Sequence, residues 1–201
     1  MKHIKPYKIF ESTSPNFPTT KEEVIEVCER HRIKNYTIND DLSIDVDGNV
    51  DLSSRNLEYL PLRFNYIEGS FDCSNNELKT LEGCPQTVGG DFDCYSNELK
   101  SLEGSPKTVG VDFYCYKNEL KDLEHFPEVS GTIDIEDNIV YCLVYTFINK
   151  ADSFMIEDFN DYEIVRNRDT VMLDRLQTFI RDNNLEMPNL EDIKEHYKII
   201  E

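Results

Sequence analysis

The sequence has no apolar segment long enough to cross a membrane, and it lacks a recognisable export signal. No run of 18 consecutive apolar residues occurs, whereas a membrane-spanning helix needs roughly 20. The opening segment 1–12, MKHIKPYKIFES, lacks the apolar stretch of a signal peptide. We therefore expect a cytoplasmic protein that does not associate with membranes.

Motifs typical of enzymes are also missing. The four histidines are isolated, and none belongs to an HExxH pair. Neither GxxxxGKS/T nor GxGxxG occurs, so nothing predicts a glycine loop around a phosphate. The 40 Asp and Glu residues are too numerous to single out an acid–base pair. We predict no catalytic residue, no cofactor and no metal ligand, and hence a protein that is not an enzyme.

Basic residues are scarce. The chain has 21 Lys and Arg against 40 Asp and Glu, which gives a formal net charge of −19. The excess of negative charge is concentrated in residues 42–143, which contain 7 basic and 20 acidic residues. Direct nucleic-acid binding needs a basic surface for the phosphates, so we do not expect it. The charge instead favours a partner with a basic surface.

The chain does contain a sequence repeat of 21 residues. Three near-copies begin at Gly69, Gly90 and Val111: GSFDCSNNELKTLEGCPQTVG, GDFDCYSNELKSLEGSPKTVG and VDFYCYKNELKDLEHFPEVSG. Weaker copies precede and follow them, with Arg55 in place of the recurring Asn in the first and a spacing one residue shorter in the last. A unit of this length cannot bury its apolar side alone and must stack on its neighbours. The period predicts a solenoid of about five turns over residues 48–143.

The recurring positions predict how each turn is built. In Phe71-Asp72-Cys73 the apolar and polar residues alternate, which indicates a short strand with Phe and Cys inward and Asp outward. The six cysteines form no CxxC pair, and those in the strands suit a reduced core. We expect the asparagines to form an inward ladder that satisfies backbone groups, and the Pro and Gly residues to mark an irregular outer side. The ladder comprises Asn76, Asn97, Asn118 and Asn138.

The flanking segments predict covers for the ends of the solenoid. Residues 20–32 have the pattern of an amphipathic helix capped by Thr19 or Thr20, and 36–47 indicate short strands. After residue 143 the apolar spacing indicates helices at 154–159, 170–181 and 190–199. The predicted organisation is an N-terminal helix and strand cap over 1–47, the solenoid over 48–143 and a helical cap over 144–201.

Outward strand positions carry the candidate binding residues, which we call the acidic face. One column contains Asp51, Asp72, Asp93, Tyr114 and Asp134; the flanking columns add Asp91 and Asp112 on one side and Tyr95, Tyr116 and Glu136 on the other. Stacked carboxylates repel one another, and this costs stability. Two interpretations stay open. The face binds a basic partner, with the tyrosines adding contact area, or Asp is a soluble outward residue copied with the repeat.

The recurring pattern resembles the leucine-rich repeat, with Phe and Cys in place of two leucines. Two segments are similar to the repeats of leucine-rich-repeat-like proteins of tailed bacteriophages and some of their hosts: FDCSNNELKTLEGCPQTVGG and FDCYSNELKSLEGSP. The segments NDDLSIDVDGNVDLSSRNLEYLP and FNDYEIVRNRDTVMLDRLQTFI resemble the segments that open and close these proteins. The resemblance implies an α/β leucine-rich-repeat solenoid with short parallel strands, an irregular convex side and a concave sheet. It implies little about activity.

Three hypotheses for the function follow from these observations. The first is a phage-encoded protein-interaction module that binds a basic protein surface through the acidic face. The second is an acidic mimic of nucleic acid that inhibits a host defence protein or nucleic-acid-binding protein, with carboxylates in place of phosphates. The third is an enzyme of unrecognised type.

Overall fold

The computed structural model describes residues 16–145, 148 and 153–201. The opening segment 1–12 lies outside these residues. The first element is helix α1, Lys21–His31, and it begins where the sequence predicts. The Thr20 side chain accepts a hydrogen bond from the Glu23 backbone N–H, and Glu22 and Glu23 lie in the first turn, where the helix dipole favours negative charge. Val24 and Cys28 are buried on its apolar side.

Two stacks of short strands follow, and together they form a parallel-strand β-solenoid. The five-stranded sheet contains β3 (Val50–Asp51), β5 (Phe71–Asp72), β7 (Phe92–Asp93), β9 (Phe113–Tyr114) and β11 (Ile133–Asp134), all parallel. The six-stranded sheet contains β1 (Tyr36–Ile38), β2 (Ile44–Val46), β4 (Phe64–Ile67), β6 (Thr87–Val88), β8 (Thr108–Val109) and β10 (Glu128–Val129). In this second sheet only the pairing of β1 with β2 is antiparallel. The predicted strands within 36–47 are thus confirmed.

The five-stranded sheet occurs where the repeat predicts it, and its apolar residues build the core. Phe71, Phe92 and Phe113 are fully buried and stack in register, with ring centroids 5.8 and 5.7 Å apart. Burying such a ring contributes roughly 1.5–3 kcal/mol, and the stacking adds about 0.5–1.5 kcal/mol. Cys73, Cys94 and Cys115 are buried free thiols, as the sequence predicts. The repeat therefore encodes one continuous core along the stack.

The predicted asparagine ladder is present and satisfies the backbone between turns. The Asn97 side chain donates to the carbonyl oxygens of Cys73 and Cys94, both at 3.1 Å, and accepts from the Leu78 backbone N–H at 3.0 Å. Asn76, Asn118 and Asn138 make the corresponding bonds in their own turns. Each amide thus joins one turn to the turn before it.

Two features of the solenoid differ from the sequence prediction. The five strands enclose about four complete turns, because a turn is complete only when the chain returns to the same sheet. The side predicted to be irregular carries the strands β6, β8 and β10. These two-residue strands begin directly after the Pro-containing turns, at Thr87, Thr108 and Glu128. The adjacent turn residues are the reason that the sequence does not predict the strands.

The segment after the solenoid mixes short helices with a small sheet. The helices are α2 (Tyr141–Val144), α3 (Ser153–Asp161), α4 (Leu173–Asp182) and α5 (Leu190–His196). A three-stranded sheet contains β12 (Val165–Arg166), β13 (Thr170–Met172) and β14 (Lys198–Ile200). The prediction of helix at 170–172 and 198–199 is therefore wrong. These residues pair as parallel strands, and Val171 is buried in the core.

Polar contacts join this segment to the last full repeat. The Arg168 guanidinium donates to the buried Asp122 carboxylate at 3.0 Å, and Lys121 contacts Asp169 at 2.5 Å. The Tyr197 hydroxyl donates to the Lys121 backbone oxygen at 2.7 Å. Asp122 occupies the repeat position of Thr80 and Ser101. Asp122 at this position thus gives the last full repeat a carboxylate that binds the C-terminal segment.

Candidate functional site

The acidic face is the outward side of the five-stranded sheet, as the alternation predicts. Phe92 points into the core while Asp93 is partly exposed, and the same holds for Phe71 and Asp72. Asp72 and Asp93 are register partners on adjacent strands, roughly 4.8 Å apart in a sheet. Parallel stacking thus places the ten predicted residues on neighbouring strands or immediately beside them: Asp51, Asp72, Asp91, Asp93, Tyr95, Asp112, Tyr114, Tyr116, Asp134 and Glu136.

Three carboxylates of the central column form local turns. Asp51 accepts hydrogen bonds from the Ser53 hydroxyl and backbone N–H, at 2.7 and 2.9 Å. These bonds lower the pKa of Asp51. Asp72 accepts from the Ser74 N–H, and Asp134 from the N–H two residues after it, each through one oxygen. Each of these three carboxylates thus retains a second oxygen for a partner.

The column that contains Asp91 and Asp112 has a structural role that sequence analysis missed. The Asp91 side chain accepts from the Asp112 backbone N–H at 3.1 Å, and Asp112 accepts from the Thr132 N–H at 2.6 Å. Asn49 and Ser70 do the same for the turns before them. The signal was visible in the sequence, since every residue that accepts such a bond is a short Asn, Ser or Asp. These side chains hold successive turns together as well as contributing charge.

Asp93 is the exception within the central column. Its carboxylate accepts no hydrogen bond that the structure records among the described residues, and it is half-buried. Burial, and after it the negative charges of Asp72, Asp91 and Asp112, together raise the pKa of Asp93 to about 6. The face therefore has a hydrogen-bond acceptor at its centre that no other residue in the described part of the chain uses.

We expect Asp93→Asn to stabilise the protein at pH 7 by about 1 kcal/mol, reduced from the full shift because the carboxyl is half exposed. The folded-state pKa of Asp93 lies above its ordinary value of 3.8. The contribution of Asp93 to stability should therefore be greatest at low pH and decline between roughly pH 4 and pH 6, and the variant lacks this decline. The charge of Asp93 also acts on the hydroxyl groups of Tyr114 and Tyr116. Urea denaturation at pH 4 and pH 7, followed by circular dichroism, measures the difference.

Asp41→Asn provides the control for this measurement. The Ser43 hydroxyl and backbone N–H lower the pKa of Asp41, which lies away from the acidic face. Removing its charge should therefore destabilise the protein at pH 7, the opposite sign to Asp93→Asn. Equal effects of the two substitutions at pH 7 would contradict the assignment of electrostatic strain to Asp93.

The tyrosines of the acidic face divide into two groups. Tyr95 and Tyr116 stack with ring centroids 4.5 Å apart and planes 5° from parallel. The Lys117 ammonium nitrogen lies 5.6 Å from the Tyr116 ring centroid, within the distance of a cation–π contact. Tyr114 instead donates its hydroxyl to Asp112 at 3.0 Å, and this bond raises the pKa of Tyr114. The tyrosines of the face are therefore a stacked pair, Tyr95 and Tyr116, and a separate ring, Tyr114, that is bonded to Asp112.

One neighbour of the face, Ser74, differs from the sequence prediction, whereas Glu136 is exposed as predicted. The repeat alignment predicts an outward Ser74 in the column of Tyr95 and Tyr116, but Ser74 is fully buried. The Asp72 carboxylate accepts a hydrogen bond from the Ser74 backbone N–H. Glu136 is exposed, and its carboxylate accepts a 3.4 Å hydrogen bond from the Tyr141 hydroxyl. The outer column is thus aromatic only in its central turns.

The opposite side of the solenoid has a groove of different character. It has a volume of about 1100 Å³ and lies between the six-stranded sheet and α3. Lys107, Glu128 and Glu157 are among its lining residues, together with Phe126 and Ile156, so charge of both signs alternates with apolar surface. A surface on which acidic residues predominate is therefore a property of the acidic face and not of this groove.

Two further findings concern the described residues as a whole. Among residues 16–145, 148 and 153–201, no three His, Cys, Asp or Glu side chains are grouped to hold a metal ion. Nor is any helix in these ranges sufficiently long and apolar to cross a membrane.

Comparison of the chain with protein-family models, with curated proteins and with solved structures finds no match in any of the three.

Proposed function

We propose that the protein is a non-enzymatic interaction module that binds a basic surface of another protein through the acidic face. The observation that carries this proposal is the placement of aligned carboxylates beside a stacked tyrosine pair on one sheet. Backbone N–H groups hold the carboxylates other than Asp93 in place, so little conformational entropy is lost at these side chains on binding. Like charges at register positions cost stability, and a basic partner would offset that cost.

The finer features of the fold are part of this proposal. We assign the solenoid to the leucine-rich-repeat type, with the acidic face as its concave wall. The asparagine ladder and the 21-residue period support this assignment. Residues 1–47 and 144–201 act as caps, and the contacts of Arg168 and Tyr197 with the last full repeat support the second of these. The protein is phage-encoded and works in the cytoplasm of the host.

A second candidate function is inhibition by mimicry of nucleic acid. Negative charges repeat along the stacking axis at Asp51, Asp72 and Asp93, one on each strand. A regular line of carboxylates can occupy a groove that binds the phosphates of DNA or RNA. The partner would then be a host defence protein or another nucleic-acid-binding protein.

We expect the combined substitution of Asp72, Asp93 and Asp134 by Asn to abolish most binding to the natural partner. Asn keeps an acceptor oxygen for the Ser74 and Glu136 N–H groups, so the change removes charge and leaves the turns in place. Affinity should fall by at least about tenfold, and its dependence on salt should decrease. Proteins captured from host cells by the wild type and by the variant are compared, and binding to each captured protein is then titrated.

The control variant carries Glu22→Gln, Glu26→Gln and Glu29→Gln on α1, which changes the net charge by the same three units. All three residues are exposed and lie away from the acidic face. A specific partner should be retained by this control and lost by the triple Asn variant. If both variants retain it equally, the acidic face is not the interface. Competition between the protein and DNA or RNA for that partner would support mimicry. If the partner binds the protein and the nucleic acid at the same time, mimicry is eliminated.

A further inference from the structure

The stacked pair of Tyr95 and Tyr116 provides an aromatic surface at the centre of the acidic face. Burial raises the pKa of Tyr116 and the charge of Asp93 raises it too, so this ring and the Asp93 carboxylate lie close to one another. The Lys117 ammonium above the Tyr116 ring indicates that this aromatic surface accommodates a cation. Both rings are partly exposed, so a partner side chain can reach them.

Asp93 completes this surface with an unused acceptor. Asp51, Asp72 and Asp134 each accept a backbone N–H two residues further along, but Tyr95 makes no such bond to Asp93 among those the structure records for the described residues. The hydroxyl of Tyr114, the register partner of Asp93, is bonded to Asp112 instead. Both Asp93 oxygens are therefore available to a donor from outside the chain.

An acceptor with two free oxygens beside an aromatic pair discriminates between the two common protein cations. A guanidinium is planar, can donate two parallel hydrogen bonds to one carboxylate, and stacks on aromatic rings. An ammonium is a compact point charge that holds its water more strongly and cannot make the paired bonds. The negative charge of the surrounding face attracts both, so the geometry and not the charge selects between them.

We infer that the acidic face recognises an arginine side chain of its partner, with the guanidinium bonded to Asp93 and stacked beside Tyr95 and Tyr116. This inference rests on the proposed function and specifies its partner: a protein segment that presents arginine, and for which lysine is a poor substitute. Arginine at this position relieves the repulsion among Asp72, Asp91 and Asp93, because it brings a positive charge into contact with the Asp93 carboxylate.

Two synthetic peptides of equal charge, Ac-GRGRGRG-NH2 and Ac-GKGKGKG-NH2, test the inference. We expect the wild-type protein to bind the arginine peptide about tenfold more tightly at physiological salt. Asp93→Asn should abolish this preference, and Tyr116→Leu should reduce it, because the first removes the paired acceptor and the second the stacking surface. Asp134→Asn is the matched control, since it removes the same charge from the face and leaves the preference intact. Circular dichroism verifies that each variant is folded.

The outcomes separate this inference from the proposed function. Equal affinity for the two peptides, or a preference that persists in Asp93→Asn, overturns arginine recognition. If the peptides then still lose affinity for the triple Asn variant, binding of a basic partner by the acidic face stands. If neither peptide binds the wild type, or if both bind the triple Asn variant equally well, both proposals fail.

Discussion

Asn97→Ala is expected to destabilise the protein by about 3 to 4 kcal/mol. The Asn97 side chain is buried and joins two turns, because it donates to the carbonyl oxygens of Cys73 and Cys94 and accepts from the Leu78 N–H. Alanine removes all three bonds. The Leu78 N–H is then buried without a partner, at roughly 1–3 kcal/mol, whereas the Cys73 and Cys94 oxygens keep the bonds from Asn76 and Asn118 and lose only a second donor, at roughly 0.5–1.5 kcal/mol each. Urea denaturation measures the loss, which corresponds to roughly 10 °C in the melting temperature for a chain of this length.

Two further variants sharpen this prediction. Asn97→Asp keeps the shape and the acceptor oxygen but loses both donors, and it places a charge against two carbonyl oxygens, so it should be at least as damaging at pH 7. Asn65→Ala is the matched control, because Asn65 is exposed and makes one surface hydrogen bond to Asp45. Its effect should stay below about 1 kcal/mol. A loss of less than 1 kcal/mol for Asn97→Ala would show that water replaces the ladder.

The solenoid core could be predicted from the sequence because the same physical constraint recurs at a fixed period. Phe71, Phe92 and Phe113 must stack because each strand repeats the same alternation, and a buried Asn after each strand needs partners for both its donor and its acceptor. Three near-identical copies make chance agreement negligible. Positions that recur for a reason internal to the turn can therefore be assigned from the amino-acid pattern alone.

Features that depend on contacts between distant segments were not predictable in this way. The strands β6 and β8 contain two residues each, so neither alternation nor propensity has enough residues to outweigh the neighbouring Pro and Gly. The bond from Arg168 to Asp122 joins residues 46 positions apart. Within the repeat Asp122 replaces Thr80 and Ser101, and all three accept the N–H two residues later, so the local pattern conceals the second role.

The same distinction applies to the acidic face. Its ten residues could be identified from alternation, yet their roles differ according to which backbone groups they meet. Asp91 and Asp112 serve the stacking of turns, and Asp51, Asp72 and Asp134 stabilise the chain that follows each strand. Among the carboxylates of the central column, Asp93 makes no recorded bond of either kind within the described residues, and it lies beside the stacked tyrosines. A partner is therefore expected to gain most at this residue.

Gly110→Ala is expected to disrupt the stacking of turns and to cost at least about 3 kcal/mol. A Cβ at Gly110 would overlap the carbonyl oxygen and carbon of Gly89, and a Cβ at Gly89 would in turn overlap the carbonyl oxygen of Glu68. These are backbone atoms, and the Gly110 N–H donates to the Val88 oxygen at 2.8 Å, so the turns cannot separate without losing that bond. Thermal and urea denaturation measure the effect.

Ser130→Ala is the control for this close approach, because Ser130 follows Gly110 at the corresponding position of the next turn and donates its N–H to Val109. Ser130 already carries a Cβ and is exposed, so its substitution should change stability by less than about 0.5 kcal/mol. Gly110 also lies two residues before Asp112, at the edge of the acidic face. Its substitution should therefore weaken partner binding along with stability. A stable Gly110→Ala protein would mean that adjacent turns can slide apart, and the acidic face would then not be the rigid surface from which its selectivity is inferred.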